Sequence, residues 1–175
     1  MPDTLRRRLA LLIAAAARLL PGSATADLRT FGLSQPVQLG AVTFRWFGLP
    51  VYRAQLHTDG GTQFDWSRPL ALQIEYFRSI SEADLISSTR SEILRMEGPR
   101  SDQDAMMQKL AGCFRTVGKG DVFTAVSTRA ETMALHLNGV QTCTISHPGL
   151  RKRFLSIWLS DNSRSARLSA SLRGE

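Results

Sequence analysis

Pro148-Gly149-Leu150-Arg151-Lys152-Arg153-Phe154-Leu155-Ser156-Ile157-Trp158-Leu159-Ser160 reads as a helix with one large apolar face. Leu150, Phe154, Ile157 and Trp158 fall at i, i+4, i+7 and i+8, on one side of a 3.6-residue period, which leaves Arg151, Lys152 and Arg153 expected near solvent. Pro148 suits the first turn. Asp161, Asn162 and Ser163 can end this helix and cap a short one after it. Burying the rings of Phe154 and Trp158 contributes about 2 to 3 kcal/mol each, so the rest of the chain must supply an apolar surface for them.

Working outward, the period before this helix is two. Val122–Ser127, Thr132–Leu137 and Val140–Ser146 read as antiparallel strands, the last two joined through Asn138-Gly139, a favoured hairpin turn. Further upstream, Ser81-Glu82-Ala83-Asp84 resembles a capping box and opens a helix with Leu85, Thr89, Ile93 and Met96 on one face, stopped by Gly98-Pro99. A second cap at Ser101 to Asp104 opens another, whose expected stripe is Met106, Leu110, Cys113, Phe114 and Val117, ended by Gly118 and Gly120. Near the start, Leu28 to Gly40 leads into a strand with Val42, Phe44 and Trp46 alternating. Gly48-Leu49-Pro50 interrupts it, and Tyr52, Ala54 and Leu56 resume the alternation. Asp59-Gly60-Gly61 marks a turn, and Leu70, Leu72, Ile74 and Tyr76 make a half-buried strand. A last helix, Ser163 to Leu172, carries Leu168 and Leu172 on one face. Segregated strands and helices predict an α+β fold, an antiparallel sheet with helices packed on one face. The surface that receives Phe154 and Trp158 is then the sheet, with help from the Leu85 to Met96 helix.

The chain has 175 residues, 43% of them apolar, enough for one core without metals or disulfide staples. Residues 1–26 have the layout of a signal peptide: Arg6-Arg7-Arg8, an apolar run Leu9 to Ala17, and the small-x-small site Ala24-Thr25-Ala26. Arg18 breaks that run, so no stable membrane span is expected. The other reading is an amphipathic helix that stays attached. Cleavage after Ala26 would leave a domain over 27–175 working in the periplasm or secreted. The formal charge of +7 then falls to +4, since Arg6, Arg7, Arg8 and Arg18 leave with Asp3. The remaining basic residues are scattered rather than interleaved with aromatics, which argues against a nucleic-acid partner. Cys113 and Cys143 can form a disulfide after export or stay as two buried thiols. His57, His136 and His147 lack metal-ligand spacing, and there is no glycine-rich phosphate loop or Ser/His/Asp signature, so no metal or cofactor is expected.

In this order and spacing, several stretches resemble the bacterial chalcone isomerase-like family. They are Gly48 to Tyr52 with Ala54 and Leu56; Pro69-Leu70-Ala71-Leu72 running to Tyr76 and Arg78; Ser91-Glu92-Ile93; Phe114, Val117 and Gly120-Asp121; Asn138-Gly139; and Phe154 with Ile157-Trp158-Leu159. The resemblance covers Gly40 to Gly174. It departs from the family at Phe114-Arg115-Thr116-Val117, where Phe-Pro-Asp-Val is usual, and at Leu168-Ser169, where Leu-Arg is usual. The resemblance implies an open-faced β-sandwich whose sheet and helix layer enclose an apolar cleft, in a fold shared by plant enzymes that cyclise chalcones and by fatty-acid-binding proteins without that activity.

Cyclising a chalcone requires an apolar pocket with an Arg, hydroxyl and amide donors for a phenolate and a developing enolate. The plant enzymes' Arg precedes the first long strand and their Thr lies within it. Here Gly32 to Gly40 contains no Arg, and Arg45, Trp46 and Phe47 stand where the Thr is expected. No catalytic set is recognisable. The resemblance therefore points first to a non-catalytic binder of a small apolar ligand such as a fatty or aromatic acid, second to an isomerase (intramolecular lyase) with a rearranged site, and third to a structural or partner-binding envelope module. Ligand-binding candidates are Tyr52, Tyr76, Arg78, Arg90, Ser91, Phe154, Ser156 and Trp158, with Glu92 also able to face the cleft. Arg90 with Tyr76 would suit a carboxylate clamp, Ser156 would supply a late hydroxyl, and Phe154 and Trp158 would be walls.

Overall fold

Two tight turns with positive φ at both central residues set the sheet in motion at its two edges: Phe47-Gly48 (φ 47° and 79°) and Asn138-Gly139 (φ 51° and 84°). The computed structural model describes residues 28–175, so the expected signal segment 1–26 and its cleavage site lie outside the described residues. The elements are β1 (Pro36–Trp46), β2 (Leu49–Asp59), β3 (Leu70–Tyr76), α1 (Glu82–Glu97), α2 (Gln103–Ala111), β4 (Val122–Arg129), β5 (Thr132–Leu137), β6 (Val140–Ser146), α3 (Leu150–Leu159) and α4 (Ala166–Arg173). The strands form one antiparallel sheet in chain order, β1-β2-β3-β4-β5-β6. Helices α1 and α2 are an excursion between neighbouring strands β3 and β4. Reciprocal Ile80 and Val117 backbone bonds, 3.0 Å each, close it at its base. The α+β architecture expected from the alternation of periods is thus observed.

The main core lies between the sheet and its helices. Leu56, Leu70, Leu72, Ile74, Phe123 and Leu135 from the strands meet Ile93 of α1, Met106 and Leu110 of α2, and Leu150, Phe154 and Leu155 of α3. The expected faces of α1 and α3 are the buried ones. The Ser81 hydroxyl caps α1 by accepting from Asp84 N, as the capping box predicts. Helix α4 lies so close to β1 that a Cβ on Gly40 would stand 2.2 Å from Ser171 O; only glycine admits this approach.

Five expectations are corrected. Gly48-Leu49-Pro50 is not a break in one strand, because the Phe47-Gly48 turn reverses the chain into a separate β2. β3 is covered on both faces rather than half-buried: Leu28, Leu33 and Phe31, read as a lead-in to β1, pack with Ala71 and Val126 on the side away from the helices. Helix α2 ends at Ala111 rather than reaching Val117. Beyond it Cys113 is held in a disulfide to Cys143, their Cα atoms 5.2 Å apart, which settles the alternative left open by the sequence. The Asp102 carboxylate leaves the α2 cap unfilled and instead accepts from Arg153 Nη1 (2.9 Å).

The fifth correction concerns the basic run of α3. Lys152 is exposed, but Arg153 is ion-paired with Glu97 and Asp102, and Arg151 is 3% exposed. Arg151 Nε donates to Ser127 Oγ (2.9 Å), and its Nη1 donates to Trp66 O (2.8 Å) and Arg68 O (2.9 Å). It ties α3 to the β2–β3 loop and to β4 without a carboxylate partner among the described residues, and burial pulls its pKa down. Arg151→Met would remove the charge but strand two carbonyls. Unfolding in urea is therefore expected to show a loss of about 2 kcal/mol, with Arg151→Lys recovering only part of it because an ammonium cannot reproduce the fork. A loss under about 0.5 kcal/mol would mean that water satisfies these carbonyls equally well.

Candidate ligand-binding site

The space between sheet and helices is not filled. A cavity of about 550 Å³ remains, within the ~300–1,000 Å³ range of small-molecule sites. Its floor is the sheet: Val42, Phe44, Tyr52, Leu72, Ile74, Tyr76, Phe123 and Ala125. They share one side because strand residues two apart point the same way. Its roof is α1 through Leu85, Ser88, Thr89 and Glu92, spaced at i, i+3, i+4 and i+7, and α3 through Phe154, Ile157 and Trp158. Exposed Trp46, Ser88, Ser91 and Arg164 stand at the rim, so the cavity is reachable from solvent.

Aromatic rings make much of the wall. Phe114 approaches Phe123 (5.8 Å) and Phe154 (6.3 Å), Phe154 meets Trp158 edge-on (5.4 Å), and Phe44 stacks on Tyr52 (5.2 Å). Two phenols interrupt this apolar lining. Trp158 Nε1 donates to Tyr52 Oη (3.1 Å), which leaves the Tyr52 O–H proton free to be donated onward. Tyr76 stands edge-on to Tyr52 at 6.3 Å, and its hydroxyl has no protein partner among the described residues. Burial pushes Tyr52 from 10.0 up to about 12, against the Trp158 hydrogen bond and with help from the Glu92 charge. Burial, with Tyr52 beside it, raises Tyr76 as well. Both therefore stay protonated donors through neutral and mildly alkaline solution.

Opposite the phenols, Glu92 is ion-paired with Arg95 Nε (3.1 Å) and with Arg164 Nε. Arg95 Nη2 also donates to Asn162 O (2.8 Å). These bonds fasten the α3–α4 linker to α1 beside the rim. Ser163, Ser165 and Ser169 line the same side, with Ser163 and Ser169 sharing a 2.7 Å hydrogen bond.

Of the sequence candidates, Tyr52, Tyr76, Ser91, Phe154 and Trp158 line the cavity, as does Glu92. Arg90, Arg78 and Ser156 do not. Arg90 is one residue past Thr89, a turn of about 100° away from the cavity, and pairs with Asp104 of α2 at 2.5 Å. The Arg90–Tyr76 clamp is therefore not formed. Arg78 is exposed just beyond β3. Ser156, two residues from both Phe154 and Trp158, turns to the far side of α3, into a hollow shared with Phe64, Trp66 and Arg173. Arg164 and the serines of the α3–α4 linker were missed because a linker has no period from which a direction can be read. The described residues contain no cluster of three metal-ligating side chains.

A search of curated proteins finds no match to the chain. Among solved structures, it is similar to a fatty-acid binding protein of Arabidopsis thaliana, with a TM-score of 0.64 over 80% of this chain and 87% of that one. At 8% identity that likeness is one of fold. The model of the chalcone isomerase-like family matches residues 44–174, a span that holds strands β2 to β6, the end of β1 and every helix around the cavity. The chain thus belongs to the chalcone isomerase-like family.

Proposed function

We propose that this protein is an exported, non-catalytic carrier of a small apolar molecule with a polar head, such as a fatty or aromatic acid. The observation that carries the reading is the rim-accessible aromatic cavity with two phenol donors at one wall, Tyr76 buried and Tyr52 half-buried. Acids with long apolar tails match that distribution: apolar surface leaves water along the walls, and the head accepts hydrogen bonds from Tyr52 and Tyr76. The fatty-acid binding protein of the same fold supports the same class of ligand. Arg164 is the one cation among the lining residues described, and its charge is engaged by Glu92, which favours holding a ligand over stabilising an enolate. A rim-accessible cavity between sheet and helices also fits a carrier better than a packed structural module. Export is supported by the layout of residues 1–26 and by the Cys113–Cys143 bond, which persists in oxidising compartments.

Native mass spectrometry of the protein isolated from the cells that express it tests both parts. The expected result is a chain beginning at Asp27, carrying a bound acid that organic extraction releases. An unprocessed chain would remove the export reading. Protein that is always empty and takes up no added fatty acid would remove the carrier reading.

The phenols supply a further prediction. Tyr52→Phe and Tyr76→Phe should each weaken binding of a fluorescent fatty acid by about 5-fold, one neutral donor's worth. The wild-type affinity should stay flat between about pH 7 and 9, because both phenol pKa values are raised and the donor form is kept. A sharp fall in affinity across that range would assign the recognition to another group.

A further inference from the structure

The β1–β2 hairpin ends in the sequence Arg45-Trp46-Phe47-Gly48-Leu49, and its apolar side chains stand in water: Trp46 is 56% exposed, Phe47 90% and Leu49 57%. Single exposed apolar residues are ordinary, but three together at one tip call for a reason. The turn itself sharpens the point. It has the same positive-φ form as Asn138-Gly139 at the other edge of the sheet, where the residues suit that backbone. At the first position of the β1–β2 turn stands Phe, at φ 47°, a bulky side chain in a region it rarely adopts. The chain holds an aromatic ring outward at a cost in stability that an Asn would relieve. Strain kept at a surface turn is an observation from which a function can be argued.

Two further observations identify what the tip meets. From Pro36 to Thr58 the two strands contain no acidic residue, while Arg45 and Arg53 are exposed on them. Arg78, which the cavity does not use, lies at the same end of the sheet, next to the Phe77 N to Val51 O bond of 2.9 Å. Secondly, the tip is continuous with the cavity. Trp46 contributes to the rim, with Phe44 and Val51 behind it. Glu75 of β3 stands across from Arg53, set back from the tip, so Arg45 and Arg78 are the cations at the tip's end of the sheet. Tryptophan and phenylalanine beside these arginines, with no acid between Pro36 and Thr58, match the boundary of an anionic bilayer, where rings enter the headgroup layer and cations stay near the phosphates.

We infer that the β1–β2 hairpin tip docks this protein on an anionic phospholipid bilayer, inserting Phe47, Trp46 and Leu49 so that the cavity mouth faces the membrane. A ligand with an apolar tail can then pass between bilayer and cavity without crossing water. That last step rests on the carrier reading; the docking does not.

Flotation with vesicles tests it, using phosphatidylcholine alone and an equimolar mixture of phosphatidylcholine and phosphatidylglycerol. Wild-type protein should float with the mixed vesicles, more weakly with neutral ones, and less as salt is raised. Phe47→Asn should lower the bound fraction by roughly tenfold, the partitioning of one large ring. The same variant should melt no lower than wild type, because Asn-Gly suits the turn, and its affinity for a soluble fluorescent fatty acid should be unchanged. Any contribution of residues 1–27 is equal in both proteins. Equal flotation of wild type and Phe47→Asn, or no flotation of either, overturns the proposal. So does a wild-type dimer in sedimentation that Phe47→Asn dissociates, since the tip would then be covered by a second copy. Vesicle docking by a protein that takes up no fatty acid would leave the docking standing and remove the carrier reading.

Discussion

Replacing Cys113 and Cys143 together by alanine is expected to lower the stability of the fold by about 3.5 kcal/mol, the loop-closure entropy for a separation of 30 residues. The bond matters here because of what it fastens. Helix α2 ends at Ala111, and the chain from Gly112 to Val117 runs back to the sheet with little regular pairing before Val117 meets Ile80. Cys113, fully buried, ties this segment to β6, and Phe114, the next residue, is part of the cavity wall. Losing the bond frees the unfolded chain and also loosens one wall of the site. Urea unfolding with and without a reductant measures the effect: the midpoint of wild type should fall to that of the double alanine variant once the disulfide is reduced. Coincident midpoints for oxidised and reduced protein would show that packing alone holds the segment.

Much of the fold was legible in the sequence because its signals are local. The Asn138-Gly139 turn, the Ser81 cap and the apolar spacing of Leu150, Phe154, Ile157 and Trp158 each follow from the backbone chemistry of a few adjacent residues, and each is found as expected. The misreadings fall where a distant group decides. Phe47 carries no turn signal of its own, so the reversal between β1 and β2 looked like an interruption. Arg151 sits in a basic run that resembles a solvated face; only the arrival of Trp66 O, Arg68 O and Ser127 from other parts of the chain makes burial tolerable. The stripe from Met106 to Val117 keeps its apolar residues inside the core, but the disulfide and the Ile80–Val117 bridge take over from the helix after Ala111.

The site divides in the same way. Tyr52 and Tyr76 could be placed in the cleft because strand alternation puts them on the same face as Ala54 and Ile74. Arg90 could not be excluded from its sequence neighbourhood, since the competing carboxylate, Asp104, lies on the next helix. Ser156 shows the reverse case: the helical period alone sets it opposite Phe154 and Trp158, and the structure agrees with the period rather than with the search for a hydroxyl.

The central claim is that the space over the sheet receives the ligand, and a substitution on its floor tests this most directly. Ala125 is buried on β4, in register with Leu72 of β3 and Leu135 of β5, and lines the cavity. Because Ala125 lines the cavity, the ring of Ala125→Phe would occupy room a ligand tail needs, and a thermal melt close to that of wild type shows that the fold is kept. Titration with a fluorescent long-chain fatty acid should show saturable 1:1 uptake by wild type and binding weakened by roughly a hundredfold in Ala125→Phe. Equal affinity in the two proteins, or no uptake by wild type, would contradict the account.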